Sequence, residues 1–340
     1  MIGLGFGCAV HLPVFYAMEN VSVVAVMGTN KSKVKSKIAN YKGIIACSTI
    51  NEVLEQKPDI VSVAIPPAEA VSVLKPLLQL RIPVLTEKPL ALSLNDAENL
   101  NHQAEGLLNA VDYQFAELDC FQLLSERLNE NIAGNLRHVH IDWMVESYAQ
   151  RHNKVSWKTV GESGGVMPLM VTHSLYLIEW LFGITKSIKG NMVCTSKKRW
   201  TLNESKIPAD LVHLEMSLPN KAPLTATIGN ANPGMNIHRW TIVCENGSYI
   251  LENTNTDYMA GFTLNYFTQE RSENGEVLIE EPREKDQDAR MSAFRRLAKR
   301  FVNAYKDDHL IRPDFNDGLR VQLLCEAIIK SSKNGNVIEV

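Results

Sequence analysis

The chain has 340 residues, 45% of them hydrophobic, with a net charge of −3 and six cysteines. That length exceeds what one hydrophobic core usually organises, so two domains are expected. The scattered lysines and arginines give no basis for nucleic acid or an anionic membrane as partner. The cysteines lack C-x-x-C spacing, as expected of reduced thiols in a cytoplasm.

Gly3-Leu4-Gly5-Phe6-Gly7-Cys8 fits G-x-G-x-x-[small], and an amphipathic stretch over residues 9–18 follows it. Such a turn needs a tight bend, a backbone bare enough to touch a pyrophosphate, and close packing of helix on strand. Only Met1 and Ile2 precede it, whereas a strand usually takes about five or six residues. The expectation is a start codon upstream, with a badly shortened central strand as the alternative. A second strand, residues 21–26, ends in Met27-Gly28-Thr29-Asn30-Lys31-Ser32-Lys33. NAD enzymes usually place an acidic side chain there for the ribose hydroxyls. None occurs in this stretch, and Thr29, Asn30 and a lysine such as Lys31 suit a 2′-phosphate, so NADP is expected ahead of NAD.

Residues 59–65 form a β-branched apolar run that ends at Ile65-Pro66-Pro67, followed by a helix-length segment, 68–80. A short apolar run, 83–86, then delivers Glu87-Lys88-Pro89. Strand, crossover helix, strand is the unit of a parallel sheet. It sets Lys88 at a carboxyl strand end, where open α/β sheets place ligands, and makes it a candidate proton-transfer group. Strands and helices alternate to about residue 112, as in a doubly wound sheet.

Beyond that point the pattern changes. A helix is predicted over 121–128 and a long strand over 136–145. Extended runs follow at 188–194, 211–217, 224–228, 239–244, 249–251, 263–267 and 277–279, separated by turns such as Glu245-Asn246-Gly247-Ser248. The fold class is therefore an α/β Rossmann domain, residues 1–112, plus an α+β domain, residues 113–340, with a large, mostly antiparallel open sheet. Two helices, 286–306 and 316–331, close the chain, the last a candidate to pack back on the first domain.

The most apolar segment, 166–184, is interrupted by Thr172, His173, Ser174 and Glu179, and reads as a core helix rather than a membrane span. It is preceded by Gly164-Gly165. His173 and Tyr176 share one helical face. On composition alone such a histidine is more often a hydrogen-bonded core residue than a catalyst. His138, His140 and Asp142 alternate along one strand face. A solvated or interface face is the expected reading there, and no metal site is assigned.

The motifs Gly3–Cys8, Pro66-Pro67, Glu87-Lys88-Pro89, Gln114-Phe115, Trp157-Lys158, Gly164-Gly165 and His173 through Gly183, with the tail from Pro313 to Gly318, resemble the glucose–fructose oxidoreductase, inositol dehydrogenase and rhizopine-catabolism (Gfo/Idh/MocA) family. The resemblance implies NAD(P)-linked oxidation or reduction, usually of sugars and polyols, and a C-terminal sheet often used for homo-oligomers. It implies Lys88 and His173 as catalytic residues. Gly3, Gly5, Phe6, Gly7, Cys8, Thr29, Asn30, Lys31, Ile65, Pro66, Pro67, Glu87, Lys88 and Gln114 would bind cofactor. Lys88, Trp157, Lys158, His173 and Tyr176 would meet the small-molecule substrate. The sequence departs from the family pattern at Leu169 and Tyr176, where aspartates are usual, and at Ala70, where a histidine is common. Three readings follow: a sugar or carbonyl oxidoreductase, a reductase of an unsaturated or imine-like metabolite, and a non-catalytic ligand-binding member.

Overall fold

The structure, a computed structural model, describes residues 1–147, 151–152, 155–196, 207–271, 275–282 and 288–340. The chain divides into two compact units, Met1–Gln114 with Asp286–Gln322, and Phe115–Lys285 with Leu323–Val340.

In the first unit, β1 (Ala25–Met27) pairs in parallel with β2 (Ile45–Cys47). A second parallel set joins β3 (Val61–Val63), β4 (Val84–Glu87) and β5 (Asn109–Asp112). Ile2 bridges Met27 on one side and Val63 on the other, both parallel. The order is therefore β2-β1-Ile2-β3-β4-β5, a doubly wound sheet whose strand order reverses at the centre. That centre is reduced to a few residues. Met27 N–H donates to Met1 O (2.9 Å), Ile2 N–H to Ser62 O (2.8 Å) and Ala64 N–H to Ile2 O (2.8 Å). Behind Met1 a cavity of about 200 Å³ opens, lined among others by Val23, Val24, Ile60, Val61 and Tyr305. The Met1 ammonium donates to Ala25 O at 2.9 Å, and burial lowers its pKa to about 6.

Crossover helices α2 (Lys31–Lys37), α3 (Ile50–Leu54), α4 (Pro67–Gln79) and α5 (Leu94–Gln103) connect these strands. Asn30, Thr49 and Ser93 cap α2, α3 and α5 by accepting from backbone N–H groups one turn in, each the usual side-chain chemistry for a helix start. The glycine turn leads into a π-helical turn, Gly7–His11, continued by α1 (Leu12–Tyr16).

The sequence placed residues 286–306 in the second domain. The structure corrects this: helix α8 (Arg290–Lys306) belongs to the first unit, and residue 286, its expected start, lies outside the described residues. Phe294, Leu297, Ala298 and Phe301 form one core with Val10, Val14, Phe15 and Leu85. Each large side chain buried there is worth about 1.5–3 kcal/mol, and that fixes the assignment. The start of α9 (Phe315–Asn334) is held in the same unit, Phe315 N–H donating to Asn109 Oδ1 (2.7 Å) and Asn101 Nδ2 to Asn316 Oδ1 (3.0 Å).

The second unit carries a nine-stranded sheet ordered β13-β12-β11-β10-β6-β9-β8-β7-β14. Its strands are β6 (Leu136–Glu146), β7 (Ser187–Val193), β8 (Leu211–Ser217), β9 (Pro223–Gly229), β10 (Ala231–Cys244), β11 (Ser248–Asn253), β12 (Thr263–Phe267), β13 (Glu276–Glu280) and β14 (Ile338–Glu339). Among the described residues only the β6–β9 pair of this sheet is parallel. Among the described residues, α6 (Asp119–Asn129), α7 (Thr172–Phe182) and the later part of α9 belong to the same unit. The sheet alternates as a one-faced sheet should. Val139, Ile141 and Trp143 are buried, whereas His140 is half-exposed and bonded to Thr225 Oγ1 (2.8 Å) and Asp142 Oδ2 (3.1 Å). β10 starts at Ala231 rather than 239, because a register irregularity between Ala231 and Asn236 absorbs Pro233-Gly234, which reads as a turn.

Candidate functional site

The glycine turn separates the three tasks its spacing demands. A Cβ on Gly3 (φ +121°) would lie 2.1 Å from Ala64 O, so only glycine fits where the chain leaves the sheet. A Cβ on Gly5 would meet nothing within 4 Å, leaving that backbone open to a ligand. On Gly7 it would lie 2.7 Å from Met1 Sδ and 3.3 Å from Ala64 Cβ, so Gly7 is the close-packing position. Cys8 occupies the third motif place with its thiol turned back to Gly3 O (3.7 Å), and burial raises the thiol's pKa. This combination of tight turn, bare backbone and following helix is what a dinucleotide pyrophosphate requires. The residues fit the cofactor.

The structure also places Arg290 at this turn, its guanidinium 4.8 Å from the centroid of the Phe6 ring and paired with Asp288. Sequence reasoning did not single out Arg290.

Thr29 and Asn30 follow β1, as expected. The stretch itself carries no carboxylate, but one reaches it from elsewhere in the chain. Glu52 of α3 reaches Lys31 Nζ at 2.9 Å and also accepts from Ser48 N–H at 2.7 Å. Lys31 and the backbone of Ser48 hold the Glu52 carboxyl below its usual range, and Glu52 holds Lys31 above its own. Asn30 is occupied as the cap of α2, accepting from Lys33 N–H at 2.9 Å.

Ile65, Pro66 and Pro67 sit at the β3–α4 junction, where Pro66 caps and Pro67 starts the helix. Glu87 ends β4, and Lys88 follows at the carboxyl end of that strand, before a cis bond to Pro89. Glu87 and Asp112 are register partners in the β4–β5 pair. His11 is fully buried and faces them, with Nε2 3.3 Å from Glu87 Oε1 and 3.8 Å from Asp112 Oδ2. Its Nδ1 lies 2.6 Å from Ser62 Oγ. Desolvation lowers the His11 pKa and favours neutral imidazole, although Glu87 pulls the other way. Burial would raise the Glu87 carboxyl, but hydrogen bonds from His11 and Asp112 and the charge of Lys88 outweigh it and keep it ionised. The ring of His11 stacks on Phe294 at 3.8 Å. Sequence reasoning passed over His11, Ser62 and Asp112. The available signal was a histidine four residues past Gly7, where a helix turn returns it to the sheet. Gln114, the last cofactor candidate, is buried after β5.

In the second unit, His173 is the second residue of α7 and is 4% exposed. Phe115 packs edge-on against its ring at 5.0 Å, with Trp143 6.3 Å away. Trp143 in turn stacks on His238 at 4.0 Å and 1°. These two are register partners on β6 and β10. They escaped sequence reasoning because the first half of β10 did. Burial drops the His238 pKa to about 3; its Nε2 accepts from Trp240 Nε1 (2.9 Å).

Trp157 and Lys158 lie in a short 3-10 turn, Trp157–Thr159, closed by reciprocal hydrogen bonds between Ser156 and Thr159. Lys158 Nζ lies 5.5 Å from the Trp157 ring centroid. Gly165 N–H donates to Lys158 O (2.9 Å) and Val166 N–H to Ala209 O (2.9 Å). A Cβ on Gly165 (φ +83°) would lie 2.5 Å from Ala209 O. The glycine pair thus ties the Trp157–Lys158 turn to the segment that leads into His173. Tyr176 is buried one turn further along α7.

Comparison with known proteins agrees with this architecture. The NAD-binding Rossmann fold of the Gfo/Idh/MocA oxidoreductase family matches residues 1–115, and the C-terminal alpha/beta domain of the same family matches residues 125–340. An uncharacterized oxidoreductase of Synechocystis sp. is 26% identical over 275 residues, covering 78% of this chain and 74% of that protein. Levoglucosan dehydrogenase, solved with NADH and levoglucosan, superposes with a TM-score of 0.85 at 16% identity, covering 100% of this chain and 97% of that one. Aldose-aldose oxidoreductase from Caulobacter crescentus, solved with glycerol, gives 0.82 at 16% identity over 100% and 98%. With both halves of the family matched in order along nearly the whole chain, the protein belongs to the Gfo/Idh/MocA oxidoreductases and is a nicotinamide-dinucleotide-dependent oxidoreductase.

Proposed function

We propose that the protein is an NADP(H)-preferring oxidoreductase that moves hydride to or from a carbinol or carbonyl carbon of a sugar or sugar derivative. The observation that carries this reading is the glycine turn with its open Gly5 backbone, in the same parallel sheet that ends β4 in Glu87-Lys88. A nicotinamide held there would supply or accept the hydride. Oxidising a carbinol also requires a proton to leave oxygen. Lys88 would stabilise the alkoxide as it forms, and His173 would take up the proton. Gly3, Gly5, Phe6, Gly7 and Cys8 would cradle the pyrophosphate, and Ile65, Pro66, Pro67 and Gln114 would border the nucleotide. Trp157, Lys158 and Tyr176 would meet substrate.

The preference for NADP rests on Thr29 and on Lys33, which forms no ion pair among the described residues. Glu52 works against it by engaging Lys31. Sugar chemistry is supported by the names of the levoglucosan and aldose enzymes with the same fold. A second reading, reduction of a less hydroxylated unsaturated or imine-like compound, is favoured by Leu169 in place of an acidic residue and by the aromatic wall of Phe115 and Trp143 beside His173. A cytoplasmic location is supported by six free thiols, and a homo-oligomer by the broad sheet of the second unit.

Fluorescence titration with NADPH and NADH, followed by turnover on a panel of aldoses, polyols and cyclic enones, tests the reading. Tighter NADPH binding with turnover of an aldose or polyol is expected. Nucleotide binding without turnover on any panel member would instead mark a ligand-binding protein.

A further inference from the structure

We propose that His11, Glu87 and Asp112 form a buried proton-holding network behind Lys88. In it, a single proton shared by the two carboxyl groups leaves Glu87 ionised as the positioning partner of the lysine. The inference deepens the proposed role of Lys88 and rests on it.

The geometry gives the reason. Glu87 and Asp112 are Cα partners on adjacent parallel strands, so their side chains leave the same face of the sheet. Two ionised carboxylates directly opposite each other repel, and the repulsion grows where solvent is excluded. Asp112 is wholly buried, and the Glu87 side chain is 17% exposed. One ligand-type atom from each of His11, Glu87 and Asp112 lies within 4.8 Å of the other two. Carboxylates sharing a site at this range do not both ionise.

The surrounding charges fix where the proton stays. Ser62 Oγ, 2.6 Å from His11 Nδ1, donates to that nitrogen when Nε2–H is directed at Glu87 Oε1. A neutral imidazole of this tautomer satisfies both contacts, so His11 carries no net charge. From α8, Phe294 stacks on the ring and Arg290 is already paired with Asp288. The Met1 ammonium acts on His11 only at longer range and opposes a second positive charge there. Among the described residues, the ammonium of Lys88 acts on Glu87 against two carboxyls. A protonated Asp112 donating to an ionised Glu87 leaves one negative charge beside one positive charge. Loss of the shared proton would bury an uncompensated anion. In this arrangement Glu87 cannot swing away from the strand end, and Lys88 stays an ammonium where the alkoxide forms.

Infrared difference spectroscopy at neutral pH tests the network directly. A protonated-carboxyl stretch is expected in the wild-type protein and in Lys88→Ala, shifted by heavy-carbon-labelled aspartate and absent from Asp112→Asn. The labelling arm uses the unmutated chain and does not depend on a variant folding. A companion NADPH titration across pH reads the effect on Lys88. Replacing both carboxyls, Glu87→Gln together with Asp112→Asn, should move the alkaline loss of affinity about one unit lower, the usual size for removal of one close countercharge. Absence of the stretch, an unmoved alkaline limb in that double variant, or a stoichiometric divalent metal that Asp112→Asn releases would overturn the proposal. If Lys88→Ala keeps the wild-type alkaline limb while the stretch is present, the proposed role of Lys88 falls instead.

Discussion

At the residue scale, the proposed cofactor preference meets an ion pair that no linear reading displays. The end of β1 looks basic in sequence, and Thr29, Asn30 and Lys31 are indeed placed there. Glu52, 21 positions from Lys31, reaches it from the next helix. The pair is exposed, so its effect on affinity is modest. Glu52→Gln should release Lys31 and raise the ratio of NADPH to NADH affinity by about two- to fivefold, the range of an exposed ion pair. Parallel fluorescence titrations measure it, and an unchanged ratio would show that Lys31 does not meet the 2′-phosphate.

At the element scale, the sequence made most of the site's supports readable. The Gly3–Cys8 spacing announced a turn because three glycines each meet a different steric demand. Glu87-Lys88-Pro89 announced a strand end because a crossover unit precedes it. Three features were not legible. His11, Ser62 and Asp112 come together only across the sheet, His11 lying 51 residues from Ser62. Trp143 and His238 depend on the β6–β10 register, which Pro233-Gly234 disguised. The assignment of α8 to the first unit depends on Phe294 and Phe301, whose partners lie near the other end of the chain.

One element gives a checkable outcome. Gly165→Ala should lower stability by roughly 1–3 kcal/mol, since φ is +83° and a Cβ would lie 2.5 Å from Ala209 O. Urea unfolding monitored by circular dichroism reads the loss; a wild-type midpoint would refute the anchoring role of the glycine pair.

At the scale of the whole molecule, buried basic groups with lowered pKa values set the acid side of stability. A His whose folded pKa lies below its unfolded value binds fewer protons folded than unfolded, so stability is lost as pH falls below the unfolded pKa. For His238 that window runs from about 6.5 down to about 3. His11 shifts in the same direction. Chemical denaturation at a series of pH values should show stability declining through that window. His238→Phe should flatten it, and an unaltered slope would contradict the burial that lowers this pKa.

The central claim is that Lys88 and His173 serve one hydride transfer. Its most direct test is the single-turnover rate of nicotinamide absorbance change in wild-type protein, Lys88→Ala, His173→Ala and the double variant, each saturated with nucleotide and a substrate found by the panel. The account predicts that each single change slows the step by roughly 10²–10⁴, the usual contribution of a positioned acid–base group. The double variant should be little slower than the worse single one, because groups acting as a unit are not additive. Wild-type rates in either single variant, or losses that simply multiply in the double variant, would contradict it.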